Sequence, residues 1–323
     1  MTTTSEALTT KAVTAERAAR HRPWGRHALS YLGLILAATV VLLPIYMTVV
    51  NALLAKESIV AYPPKLFPFE CSWDICSTAA PQWGNFPKAL DQVPLVRYMW
   101  NSAIMTGVIV VGQLVTASLA AYAFAFLRFP GRGLLFLIFL STLMVPIEVS
   151  IIPNYQTVQS FGGSHLEILG FEVGRHILRH ILSQDSYQAL TIPFLATAFG
   201  TFLLRQHFMT IPKELRDAAA IDGYGHLRFL FFVVLPLSRP VLASLAVFAF
   251  LSAWNQYLWP LLVTNDDNMR TVQIGLAALR GREIDSFNVV MAGTLIAAMP
   301  MFAMLVVFQG QLVRGLTAGA VKR

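Results

Sequence analysis

Residues 98–127 read YMWNSAIMTGVIVVGQLVTASLAAYAFAFL, 30 positions without one acidic or basic side chain. Crossing the hydrocarbon core of a bilayer takes roughly 20 residues in a helix, so this stretch alone is long enough to span it. Further uncharged runs occupy 27–55, 240–265 and 286–313, with shorter ones at 133–147 and 186–204. The whole chain of 323 residues is 56% apolar and 13% charged. An ordinary soluble domain carries about twice that share of charge. With a mean hydropathy of +0.60, the sequence sets aside a soluble globular protein, a nucleic-acid binder and a disordered chain.

These runs predict an all-α polytopic membrane protein with six transmembrane helices. Span one covers about 29–53, interrupted by Pro44; span two covers 101–126 and span three 133–154. Span four, at 187–204, contains Pro193 and Gly200, while spans five and six cover 240–262 and 286–309. The first run is too long for the core of a cleaved signal peptide and reads as a retained span. In span two, Gly107, Gly112, Ser118, Ala120 and Ala121 would let neighbouring helices approach closely. Residues 1–26 form a basic, flexible tail, and 27–323 the membrane domain.

Charge gives the orientation. The two termini, the link 128–132 and the segment 205–239 together carry 15 Lys/Arg and 5 Asp/Glu. The loops 54–97, 156–185 and 263–285, with Glu148, carry 9 Lys/Arg and 12 Asp/Glu. The positive-inside rule puts the first set, with both termini, in the cytoplasm. Cys71 and Cys76 then lie outside, where a disulfide would persist, although two free thiols fit the spacing nearly as well. No residues are assigned to a metal. Glu172, His176 and His180 fit the polar side of a small outside helix better than a metal site.

Segment 206–239 is too apolar for a free linker. The run IPKELRDAAAIDG at 211–223 begins with Pro212, carries Glu214 early, and ends on Gly223 where a left-handed helix end would sit. Leu215, Ala218 and Ala219 make a small apolar stripe flanked by charge. A second helix is expected over Leu227–Val234. Pattern leaves two readings open: a helix that docks on a protein surface, and one that lies on the membrane.

Residue-level likeness decides between them. Asp217-Ala218-Ala219, then Gly223 after three residues, then Val233 and Leu235-Pro236, resembles the EAA motif of permease subunits in binding-protein-dependent ABC importers. Other matches are Tyr122-Ala123-Phe124-Ala125, Arg128-Phe129-Pro130-Gly131, Val145-Pro146-x-Glu148-Val149 and Ile152-Pro153. Trp254-Asn255-x-x-Leu258-Trp259-Pro260-Leu261 and the tail from Gly315 to Lys322 complete them. The chain is thereby similar to the second membrane subunit of carbohydrate and glycerol-3-phosphate importers, as in the maltose system. Asp217 stands where the motif has Glu, loop 54–97 is long, and 162–185 looks like an insertion.

The resemblance implies a type I ABC importer permease fold and a non-catalytic subunit of a heteromeric complex in a bacterial or archaeal plasma membrane. Implied partners are a second, homologous permease subunit, an extracytoplasmic solute-binding protein, and two ATPase subunits that bind ATP and Mg. The permease binds no cofactor itself. Glu214, Arg216, Asp217, Ala218, Ala219 and Gly223 would then couple ATPase closure to the spans. Polar groups are costly within a membrane unless paired, which makes Gln113, Thr116, Tyr122, Asn255 and Gln256 candidates for the translocation path or for helix-to-helix hydrogen bonds. Glu148 is a candidate for gating or for pinning a broken helix. With no Lys or Arg inside the predicted spans, a neutral sugar or oligosaccharide fits better than glycerol 3-phosphate. A secondary transporter is a weaker alternative, because it leaves the packed 206–239 segment unexplained.

Overall fold

A computed structural model of the chain describes residues 24–59, 62, 65–67, 70–71, 76–77, 81–162, 184–282 and 287–317. Most of the basic tail, the insertion with Glu172, His176 and His180, and the end of the C-terminal motif lie outside these residues. The chain divides into two units, 1–82 and 83–323.

In the first unit, α1 (Trp24–Leu53) includes the apolar stretch Ser30–Leu53. The expected interruption at Pro44 does not occur: the helix runs through the proline, and Thr48 Oγ1 donates to the Pro44 carbonyl at 2.8 Å. A short helix α2 (Lys56–Ile59) follows. Strands β1 (Glu70–Cys71) and β2 (Cys76–Ser77) then pair antiparallel with Cys71 opposite Cys76. The side chains that would make the disulfide are outside the described residues.

The second unit opens with α3 (Asn85–Gln92), a helix inside what the sequence suggested was a loop. Its buried Asn85 accepts a hydrogen bond from Asn288 at 3.1 Å. Next comes α4 (Leu95–Phe126), 32 residues long. At 1.5 Å per residue it measures about 48 Å, more than the roughly 30 Å of a hydrocarbon core. It begins six residues before the predicted span, directly after Pro94, so Arg97 belongs to its first turn. Arg97 thus lies on the helix that carries the second predicted span, four residues ahead of it.

Three helices, at Ser30–Leu53, Leu95–Phe126 and Phe287–Gly310, are long and apolar enough to cross a membrane. Three bent pairs would bring the number to six if each pair is one span. The first pair is Arg132–Met144 with Ile147–Gln159, bent by 100°; its two main helices are α5 (Arg132–Ser141) and α6 (Ile147–Gly162). The span expected at 133–154 therefore contains a sharp corner. Pro146 has no N–H to continue the helix and forces Val145 out to φ −84°, ψ 117°.

The second pair comprises α7 (Tyr187–Thr191), a tight turn Ile192–Phe194 containing Pro193, and α8 (Ala198–Phe208), bent by 47°. Ser186 and Thr197 cap the two helices, accepting from the Ala189 and Gly200 amides at 3.1 and 3.4 Å. Helix α9 (Lys213–Ile221) follows. The third pair is α10 (His226–Leu237) and α11 (Arg239–Trp254), bent by 82°. Buried Ser238 occupies that corner and donates to the Val234 carbonyl at 2.7 Å.

The fifth predicted span stops early. Its helix α11 ends at Trp254, and α12 (Leu258–Val263) starts after a three-residue break. Pro260 accounts for this, since its ring would collide with the carbonyl four residues back. The loop 263–285 contains α13 (Val272–Arg282), and α14 (Phe287–Thr317) closes the described chain with Pro300 inside it.

Helix α4 is packed by α8 and α11. Its Ala117 and Ala121 are fully buried, and a Cβ on Gly112 would collide with Leu195. Gly107, by contrast, faces open space. Across the α8–α11 contact, a Cβ on Gly200 would come within 3.0 Å of Leu245.

At the Leu95 end of α4, Asn101 donates to the carbonyls of Asn268 and Arg270 at 2.7 and 2.9 Å and accepts from Tyr187 at 2.8 Å. Ser102 accepts from the Val272 amide at 2.9 Å. Nearby, Asp185, at φ 60°, accepts from the amides of Asn265 and Asp266 at 2.6 and 2.8 Å. Asn101→Ala is expected to destabilise the purified protein by about 1–2 kcal/mol, read as a lower melting temperature. Gly200→Leu, which must push α8 off α11, should lower it further; an unchanged melt in both variants would contradict this packing.

Candidate coupling site

The sequence Pro212 to Tyr224 builds a short helix with a stop at each end. Pro212 is extended at φ −57°, ψ 139°, just ahead of α9, and Glu214 lies in the first turn, where the helix dipole favours an acid. At the other end Gly223 takes φ +76°. The Gly223 amide donates to Ala220 at 3.1 Å and the Tyr224 amide to Ala219 at 2.8 Å. That pair of bonds is a Schellman closure, which needs a left-handed residue where Gly223 stands. Both the helix and its glycine stop match the sequence expectation.

Beneath α9 lies an aromatic base. Ala219, 6% exposed, belongs to a buried cluster with Ala121, Tyr122, Phe208, Phe229 and Leu230. Tyr122 Oη and His226 Nδ1 are 3.0 Å apart, joining α4 to the first residue of α10. Phe126 stacks on Phe208 and meets Phe229 edge-on, with centroids 6.3 and 5.7 Å apart. The neighbouring link 127–131 is also tied down. Arg132 donates to the Leu127 carbonyl at 3.0 Å, and Arg205 donates to the Phe124 carbonyl at 3.2 Å while lying 4.0 Å over the Phe136 ring. Beyond His226, α10 runs one residue earlier and three later than expected and includes a π-helical turn at Leu230–Val234.

The six coupling candidates therefore divide. Glu214, Asp217 and Ala218 are exposed and share one stripe with Ile221, at spacings of three, four and seven residues. Ile221 is 87% exposed, a large apolar side chain that the sequence reading missed, although its place in that stripe was visible. Ala219 does not share this face: it packs on its own chain, whereas Ala218 is exposed. Its small size lets α9 sit down on its own chain. Arg216 turns toward the same side as Ala219, where both line a depression of about 690 Å³ with Tyr122 and His226.

The path candidates are distributed differently. Gln113 and Thr116 of α4 donate to the carbonyls of Phe194 and Leu195, at 2.9 and 2.6 Å. Those carbonyls stand at the interruption between the Ile192–Phe194 turn and α8, where no helical amide reaches them, so both side chains staple a broken helix. Tyr122 belongs to the aromatic base. Asn255 donates to its own helix at Leu251, 2.8 Å away, and accepts weakly from Gln273 at 3.4 Å. Gln256 is half-buried, and its Oε1 bonds nothing among the described residues. Glu148 is exposed in the first turn of α6, immediately past the 100° corner.

None of these five path candidates lines an open depression of about 1400 Å³ bordered by Arg97, Trp100, Asn101, Tyr187 and Trp254. Arg97 Nε donates to the Asn268 carbonyl at 3.1 Å. Pro94, as a helix-start signal, could have drawn Arg97 into the helix from sequence.

Comparison with known proteins agrees with this geometry. Residues 113–317 match the family described as "Binding-protein-dependent transport system inner membrane component". The sn-glycerol-3-phosphate transport system permease protein UgpE of Shigella flexneri serotype 5b (strain 8401) is 36% identical over 298 residues, covering 92% of this chain and 97% of that protein. A chain of a bacterial ABC transporter involved in the import of the acidic polysaccharide alginate superposes with a TM-score of 0.68 at 20% identity, covering 90% of this chain and 96% of that one. A second alginate transporter structure, in complex with an alginate pentasaccharide-bound periplasmic protein, gives 0.59 at 15% identity, covering 89% and 96%. The two structures share the fold, and the family match and the relative together establish that this chain belongs to the inner membrane components of binding-protein-dependent transport systems, as a permease subunit of an ABC importer.

Proposed function

We propose that the chain forms one membrane half of an ATP-driven solute importer, with six spans, both termini in the cytoplasm, and α9 as the foot on which an ATPase subunit acts. A second, homologous permease subunit completes the path. Two ATPase subunits hold ATP and Mg, and a solute-binding protein delivers from the outside. The observation that carries this reading is the combination of a locked helix and an unpartnered stripe. Helix α9 is fixed to its own chain through Ala219 and the Gly223 turn, while Glu214, Ala218 and Ile221 are exposed and Asp217, also exposed, borders a hollow with Lys213 and Arg128. A foot built this way transmits force because it cannot rotate about its own axis without unpacking its aromatic base.

Proteoliposomes containing the assembled complex provide the test. Ile221→Asp should reduce stimulation of ATP hydrolysis by the loaded binding protein roughly tenfold, as expected when an interface anchor worth about 1.4 kcal/mol is lost. Gly223→Pro, which cannot adopt a positive φ, should do at least as much. Stimulation equal to wild type in both variants rejects the coupling role.

For the solute, a sugar or sugar-derived polyol fits the family, and Arg97 supports a second, anionic reading. The guanidinium is held at the rim of the large cavity and can pair with a phosphate or carboxylate in a forked, charge-assisted contact. The relative is a permease for glycerol 3-phosphate, and the structural neighbour imports an acidic polysaccharide. If the solute is anionic, Arg97→Gln should slow uptake of glycerol 3-phosphate by roughly tenfold, and Arg97→Lys should restore part of it. Equal uptake by all three proteins would return the assignment to a neutral sugar.

A further inference from the structure

The depression beside α9 has a chemistry that the coupling role does not use. Arg128, Arg216 and His226 line it together with the rings of Tyr122, Phe129 and Tyr224. Its volume of about 690 Å³ lies within the roughly 300–1,000 Å³ range of small-molecule sites. Arg128 and Arg216 also line an adjoining hollow of about 430 Å³ with Lys213 and Asp217, and Arg128 borders a third with Arg132. Four fixed cations thus surround these hollows, against one lining carboxylate, Asp217. Among the described residues neither Arg128 nor Arg216 has an ion-pair partner, and both side chains are exposed. Nearby Asp222 and Glu214 are exposed as well. The apolar half of the wall is aromatic, with Phe126 and Phe229 at the back.

We propose that this depression is a binding site for a phosphate-bearing anion, recognised by Arg128 and Arg216, with the aromatic wall taking the glycerol and first acyl carbons of a lipid. Two forked guanidinium groups match phosphate oxygens, and the pocket opens where α4 leaves the apolar region. Basic pockets between membrane helices on the cytoplasmic side are suited to anionic headgroups. The expectation of an inner-leaflet lipid rests on the cytoplasmic placement proposed above; phosphate recognition itself does not. Inorganic phosphate shares the chemistry and is the alternative source.

The experiment uses the assembled complex in detergent without ATP, titrated separately with dioctanoyl phosphatidylglycerol, dioctanoyl phosphatidylcholine and inorganic phosphate, and follows the melting temperature. Phosphatidylglycerol should stabilise the wild type saturably and phosphatidylcholine should not. Arg128→Gln with Arg216→Gln should weaken the apparent affinity by about tenfold or more. Arg128→Lys should keep most of it. Should the double variant not assemble, Arg128→Gln alone, at an exposed side chain, makes the same comparison. Saturation by inorganic phosphate, with the same loss in the variants, would identify a soluble ligand. Equal effects of both lipids with no response to phosphate, or wild-type affinity in the Arg variants, overturns the site. Ile221→Asp should bind phosphatidylglycerol normally, so loss of coupling and loss of this site are read separately.

Discussion

A break in a membrane helix frees backbone carbonyls, and hydrocarbon offers them nothing to bond. This protein contains several such breaks, and one unbroken helix, α4, supplies the partners for those around it. Gln113 and Thr116 hold the carbonyls released near Pro193. Asn101 holds two carbonyls of the 263–285 loop, and Ser102 holds the amide that starts α13. The polar side chains of the longest apolar helix therefore maintain the bent ones. Each such bond contributes below about 1 kcal/mol on average, because the unfolded chain in a membrane also finds partners, so it is their number along α4 that matters.

The same helix also carries the proposed coupling segment. Its last turns supply Tyr122 and Phe126 to the base on which α9 rests. Beyond that base the 82° corner at Ser238 leads directly into α11, which packs back along α4. A load on α9 accordingly enters two helices at once, one through the aromatic cluster and one through the chain. The lack of any long, loose connection between Gly223 and Trp254 distinguishes this arrangement from a surface loop.

Much of this was legible in the sequence, for identifiable reasons. Long uncharged runs mark apolar helices whatever their neighbours, and the Pro212, Glu214 and Gly223 signals act within a single turn. Corners were less accessible. Pro146 and Pro44 carry the same local signal, yet one stands at a 100° bend and the other within a continuous helix. The difference depends on what surrounds each proline. Side-chain direction was hidden as well: Ala218 and Ala219 are adjacent and chemically identical, and only the packed aromatic base shows that one faces out and the other in. Gln113 and Thr116 resembled path-lining groups because a polar residue in an apolar helix looks the same from sequence whether it meets solute or a neighbour's carbonyl. Pro94 carried a helix-start signal that a span read from residue 101 left unused, and with it the place of Arg97.

An unbroken rod of 32 residues has a geometric property that its bent neighbours lack. A rod stapled near its middle, as here at Gln113 and Thr116, would pivot there as a seesaw does. Half its length is about 24 Å, so a tilt of about 5° swings each tip by roughly 2 Å, in opposite directions. The end bearing Tyr122 and the end bearing Asn101 would then move as a single body, so a displacement of the base under α9 would be felt at the far end as through a lever.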